Sequence, residues 1–203
     1  LDDAIRIKEI APKVKNIIIL GAGLVGVDAM AGLLDYDAKV TMIEMGDRIL
    51  PLQLDHYAAN VYIERLKEEG VDFRFNVRAE KVIVDENNNP VAIKLNTGEE
   101  VPGELIIACT GVRSNVGFLE GSGIECDKFG LIFNPKGETN VKDVYGAGDI
   151  SGRNPIWPTA VKEGLIAANN MCNKDIYMED FFGSKNTMNF CGVATMSLGT
   201  VIK

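Results

Sequence analysis

The sequence predicts an α/β fold, a parallel sheet carrying an antiparallel β-meander, and three observations lead there. An apolar run, Ile17-Ile18-Ile19-Leu20, has the continuous hydrophobicity of a strand covered on both faces. It is followed by a glycine-rich turn, an apolar helical stretch to about Leu34 and a second strand, Lys39 to Ile43. From Arg78 the pattern changes to period-two alternation, and Glu104 to Cys109 then returns as another apolar strand. Strand, glycine turn, helix and strand in this order are Rossmann-like.

The turn carries Gly21, Gly23 and Gly26 at G-x-G-x-x-G spacing. Gly21 permits a sharp turn, Gly23 permits close approach of backbone to a pyrophosphate, and Gly26 permits tight packing of helix on strand. The helix start, at Leu24 and Val25, offers unpaired N–H groups and partial positive charge to phosphates. Glu44 ends the second strand about 20 residues on, where a carboxylate accepts from a ribose diol. A lone glycine fingerprint often merely connects two elements; here the strand, helix and acid accompany it, and dinucleotide binding is the expectation. A carboxylate at Glu44 repels a 2′-phosphate, and Met45-Gly46-Asp47 adds no cation, so NADH is expected over NADPH. Arg48 is expected as a surface or turn residue.

With 203 residues the chain suffices for one large domain or two small ones. A net charge of −8 argues against nucleic acid as a partner, because phosphate binding needs a basic face. No apolar run is long enough to span a membrane, and the acidic start Leu1-Asp2-Asp3 is unlike a signal peptide, so a cytoplasmic protein is expected. Cys109, Cys126, Cys172 and Cys191 form no short pair, which argues against a metal site and predicts buried, reduced thiols. The first residue is not methionine and the last three, Val201-Ile202-Lys203, form no polar tail, which suggests a piece of a longer protein.

Asp2 to Ile10 reads as a short amphipathic helix ended by Pro12. Asp55 to Glu69 reads as a helix with Ala58, Val61, Tyr62 and Leu66 on one face, closed by Gly70. His56 is expected to be solvated at its start, and Val71 to Phe75 supplies a third parallel strand. Lys81–Val84 and Val91–Leu95 form a hairpin through the Asp85–Pro90 loop, and Glu100-Val101 extends the meander. The loop Thr110–Asn115, containing Gly111, follows a strand's carboxyl end, where open α/β sheets bind ligands. Thr139 to Asp149 reads as a short strand meeting a glycine turn and an acid. Trp157-Pro158-Thr159-Ala160 opens a helix to about Cys172, and the alternation from Tyr177 to Lys203 suggests the first strands of a further unit.

The stretches GAGLVGVDA (Gly21–Ala29), TGVRSN (Thr110–Asn115), TNVKDVYGAGD (Thr139–Asp149) and WPTAVKEG (Trp157–Gly164) resemble the FAD-dependent pyridine nucleotide-disulfide oxidoreductases, in the NADH oxidase, rubredoxin reductase and nitrite reductase large-subunit branch. The resemblance implies an NAD-binding domain at 1–113, the second half of an FAD-binding domain at 114–175 and the start of an interface domain at 176–203. It implies that Asp149, after Gly148, bonds a ribityl hydroxyl of FAD, and that the helix opening at Pro158, Thr159 and Ala160 aims its amides at the flavin's pyrimidine edge. Asp28 stands where many members have glutamate, so its contact near the nicotinamide end is one methylene shorter. Ser114 replaces the usual proline and is expected to loosen its loop. Only one glycine fingerprint is present, so the chain is expected to bind NADH but to hold FAD poorly alone.

The implied activity is hydride transfer from NADH to FAD and on to a small-molecule or redox-protein acceptor, with no catalytic side chain in this segment and a homodimer allowed. For Asp149, Trp157–Pro158, Arg113 and Asn115, ordinary turn or helix-start roles are the bland alternatives. Two rival classes remain at this point. A methyltransferase also uses a glycine loop and an acid, but has no place for the meander or the GAGD segment. A non-enzymatic NAD-binding sensor is the other.

Overall fold

The computed structural model describes residues 1–153, 155–178 and 185–198. The first strand, β1 (Asn16–Leu20), lies inside a four-stranded parallel sheet with β2 (Lys39–Ile43), β3 (Asp72–Arg74) and β7 (Leu105–Ala108) in the order β3-β2-β1-β7. After an opening helix, α1 (Asp2–Ile10), the chain enters β1, leaves it through α2 (Leu24–Ala31) to reach β2 on one side, and returns much later as β7 on the other. The glycine turn therefore sits at the carboxyl end of β1, where the strand order reverses and open sheets hold ligands.

The apolar runs are continuous because both sheet faces are covered. Ile17, Ile19, Val40 and Met42 pack in one core with Val27 and Met30 of α2 and with Tyr62 and Leu66 of α3 (His56–Glu68). Ile18 and Ile43 point the other way, into a second core with Ile93, Leu95 and Val101. Those residues belong to the meander, a separate antiparallel sheet of β4 (Ala79–Val84), β5 (Pro90–Leu95) and β6 (Glu100–Pro102). Gly103 makes the return to β7: a methyl there would lie 2.4 Å from Cδ1 of Ile18.

Several expectations need correcting. The helix after the glycine turn ends at Ala31, and Gly32 leads into turns in which the Leu33 N–H still reaches Met30 O. On α3 the buried stripe is Ala59, Tyr62, Ile63 and Leu66, whereas Val61 is exposed and Ala58 half-buried. Those four positions follow i, i+3, i+4, i+7, the periodicity of one helical face. The expected strand before Asp149 is reduced to a single bridge, Glu138 with Tyr145. The thiols are free, but Cys126 and Cys172 are exposed rather than buried, one on an irregular loop and one at a helix end.

The described chain divides into two compact units: Leu1–Gly111 with the hairpin of β8 (Lys185–Phe190) and β9 (Val193–Leu198), and the described part of Val112–Ser184. The hairpin rests on α3, where the buried Tyr62 hydroxyl donates to Val193 O at 2.9 Å and Arg65 Nε donates to Cys191 O at 3.1 Å. Sequence reading assigns these strands to the start of a further unit; residues 179–184 and 199–203 of that assignment lie outside the described residues. The second unit is mostly loop around α4 (Trp157–Met171). Among the described residues no helix is long and apolar enough to cross a membrane.

Candidate functional site

The glycine turn is built by close contacts that no side chain permits. Gly21 has φ +98°, and a methyl on it would lie 2.4 Å from Cys109 O; one on Gly26 would lie 2.0 Å from Gly21 O. These two glycines let helix, turn and β7 pack backbone to backbone. Gly23 differs: nothing lies within 4 Å of where its Cβ would be, so the space it faces is open. It caps α2 without a side-chain hydrogen bond, leaving the helix start at Leu24 and exposed Val25 able to receive an anion.

Glu44 is tied into the same cradle. Its Oε2 accepts from the Ala22 N–H at 2.7 Å and its Oε1 accepts from the Gly46 N–H at 2.7 Å. Ala22, fully buried, is also held by its carbonyl, which accepts from the Leu50 N–H at 2.8 Å. A carboxylate has about four lone-pair sites, so two remain for the hydroxyls of a sugar. Glu44 makes no ion pair among the described residues. An open Gly23, an uncapped helix start and a half-buried carboxylate at the turn fit a diphosphate joined to a ribose.

Arg48 lies in the bent loop after β2, as one of the two expected roles had it, but it is buried rather than at the surface. Its Nε donates to Leu54 O at 3.2 Å, Nη2 to Pro51 O at 3.3 Å and Nη1 to Asp47 Oδ1 at 2.8 Å. The loop after β2 curls around the guanidinium and supplies those carbonyls, so Arg48 braces the loop instead of offering a free cation. His56 is exposed at the start of α3, with Nε2 3.2 Å from Arg48 Nη1. Burial pushes the half-buried Cys109 thiol beside the turn upward, which disfavours a reactive thiolate.

Asp28 is exposed on α2, and Gly111 lies in the loop after β7 with φ +100°. In the second unit, Gly148 and Asp149 open a short 3-10 turn. Gly148, at φ +81°, faces the start of α4, with its Cβ direction 3.4 Å from the Cβ of Ala160. Pro158 lies in the first turn of α4, which has no side-chain cap, next to Thr159 and Ala160. The structure thus brings Gly148, Asp149 and Ala160 together within one unit.

One further residue escaped sequence reading, and the expectation for another is corrected. Glu163 is buried on α4 and its Oε2 accepts from the Gly148 N–H at 2.7 Å. Burial raises its pKa, the Gly148 amide opposes that, and the Asp149 charge adds to it. Its burial had a signal: Glu163 falls at the i, i+3, i+4, i+7 spacing of one helical face with Ile166, Ala167 and Asn170, all buried. Ser114, expected to loosen its loop, instead donates from Oγ to Asp149 O at 2.9 Å.

Sheet order and glycine turn define a Rossmann-type α/β domain. A family model for pyridine nucleotide-disulphide oxidoreductases matches residues 1–164, and the chain belongs to that family. It is 29% identical over 199 residues to an NAD(P)H coenzyme A polysulfide/persulfide reductase of Pyrococcus horikoshii, covering 91% of this chain and 44% of that protein. It is 32% identical over 158 residues to a dihydrolipoyl dehydrogenase of Acholeplasma laidlawii, covering 77% of this chain and 46% of that one. The chain therefore spans less than half the length of these relatives. Among solved structures, the water-forming NADH oxidase of Lactobacillus brevis bound to NADH superposes with a TM-score of 0.87 at 20% identity, covering 97% of this chain and 45% of that one. That likeness is one of fold.

Proposed function

We propose that this chain is the dinucleotide-binding part of an NADH-dependent flavoprotein oxidoreductase that passes a hydride from NADH to FAD and then to a small-molecule or redox-protein acceptor. In this reading residues 1–113 bind NAD(H), 114–175 complete an FAD-binding domain and 176–203 begin an interface domain. The observation that carries it is the joint construction of the cradle: the carboxylate that would hold the sugar is hydrogen-bonded to an amide of the turn that would hold the diphosphate. Family membership supports it, as do relatives named for NAD(P)H-linked reduction.

The residues divide the work. Gly21 and Gly26 fix the turn, Gly23 with the amides at Leu24 and Val25 receives the diphosphate, and Glu44 takes the ribose hydroxyls while disfavouring a 2′-phosphate. Asp28, one turn into α2, would lie toward the nicotinamide end, as would Gly111 in the loop after β7. Gly148 and Asp149 would meet the ribityl chain, and the start of α4 at Pro158, Thr159 and Ala160 would face the flavin, placing a positive helix end where reduction leaves negative charge. The cofactors supply the hydride chemistry itself.

Titration calorimetry of the chain with NADH, NADPH and S-adenosylmethionine tests the reading. Binding of NADH at least about tenfold tighter than NADPH is expected, equivalent to about 1.4 kcal/mol. Binding of S-adenosylmethionine in place of NADH, or of none of the three, overturns it.

A further inference from the structure

The turn at Gly148–Asp149 is gripped at both ends by side chains from separate parts of the second unit. At its amino end the Gly148 N–H donates to Glu163 Oε2 at 2.7 Å, from within α4. At its carboxyl end Asp149 O accepts from Ser114 Oγ at 2.9 Å and from the Gly152 N–H at 3.0 Å. Glycines make room for the serine: a methyl on Gly130 or on Gly152 would come within 2.8 Å of Ser114 Oγ. Gly148 itself adopts φ +81°, a conformation that needs outside restraint because glycine has many alternatives. The Asp149 side chain is left exposed between the two grips.

We propose that Ser114 and Glu163 are positioning residues that clamp the Gly148–Asp149 dipeptide so that the Asp149 carboxylate is held ready for a ribityl hydroxyl of FAD. This rests on the reading of the second unit as part of an FAD site. A buried carboxylate accepting from a backbone amide is a strong, charge-assisted bond, and it restrains the peptide that a neutral turn would leave free. The serine supplies a donor at its position, and proline has no side-chain donor to offer there. Neither residue touches the flavin in this account; each acts through the backbone of Asp149.

The test uses the intact flavoprotein containing this segment, with Ser114→Ala, Glu163→Leu, Glu163→Gln and the Ser114→Ala/Glu163→Leu double variant. FAD dissociation constants are read by flavin fluorescence on reconstitution of apoprotein, the melting temperature of each apoprotein is read alongside, and exchange of the Gly148 amide is followed. Losing one hydrogen bond is worth about fivefold in affinity, so Ser114→Ala is expected to weaken FAD about fivefold and Glu163→Leu about tenfold or more. Glu163→Gln keeps an acceptor oxygen and is expected to recover most of that loss and the slow exchange of Gly148. Should Glu163→Leu fail to fold, Ser114→Ala with Glu163→Gln carries the test. Wild-type protein that takes up no FAD overturns both the functional reading and the clamp. FAD held at wild-type affinity by Ser114→Ala and Glu163→Leu overturns the clamp alone, as does a loss of affinity matched only by a falling melting temperature.

Discussion

Gly23 and Gly26 are three residues apart in one motif, yet the structure gives them different work. Gly26 is pressed against Gly21 O and has no room for a methyl, so Gly26→Ala is expected to cost about 1–3 kcal/mol of stability through overpacking. Gly23 faces open space at φ −77°, an angle any residue adopts. Gly23→Ala should therefore melt close to wild type while weakening NADH binding about tenfold, because its methyl would enter the space proposed for the diphosphate. Thermal melts and calorimetry on the two variants check this: equal loss of stability, or undiminished binding by Gly23→Ala, contradicts the division. Glu44 belongs to the same scale, since the backbone amides of Ala22 and Gly46 fix the direction of its carboxylate.

At the scale of elements, the hairpin β8–β9 is held to α3 by a polar anchor inside an apolar contact. The Tyr62 hydroxyl lies within reach of Val193 O, Met188 O and Thr195 Oγ1, at 2.9, 3.3 and 3.2 Å, and its ring meets Phe190 edge to face. Tyr62→Phe keeps the ring and removes the hydroxyl, leaving carbonyls without their donor, at an expected cost of about 1–3 kcal/mol. Faster amide exchange confined to residues 185–198, with α2 and β1 unaffected, is the expected signature. Arg48 shows the same logic in the loop after β2, where one guanidinium organises three neighbours.

For the whole molecule, acid should act in two opposing ways. Glu104 is held below the ordinary carboxylate range by the backbone amides of Lys15 and Asn16, and Asp85 and Asp127 are lowered chiefly by backbone amides of their own turns. A folded pKa below the unfolded one gives stability that is present above the unfolded pKa and lost as pH falls through the folded value. Glu163 has the reverse sign: burial raises its pKa, so its charged form costs stability above the folded value and the cost is relieved as pH falls. Melting temperature should thus drop as pH falls through and below the ordinary carboxylate range, from about pH 5 downward. Glu163→Gln should melt higher than wild type at neutral pH, with the gap closing as pH falls through the Glu163 titration. A gap that widens on acidification reverses the assignment. The exposed apolar residues Trp157, Val161 and Leu165, four apart along α4, add an expectation of concentration-dependent association, which light scattering reads.

The sequence by itself determined the parallel sheet, the glycine turn, the meander and the acid at the end of β2, because each is a local pattern: a continuous apolar run, a fixed glycine spacing, an alternation of period two. It could also place α4 from its proline-bearing start. Tertiary structure alone decided that Arg48 turns inward, and that Ser114 and Glu163 find their hydrogen-bond partners in one dipeptide 35 and 15 residues away. The physical reason is that burial and hydrogen-bond partnership depend on what the rest of the chain brings alongside. A carbonyl offered by a distant loop changes a side chain's lowest-energy direction without leaving a mark in its own neighbourhood of sequence.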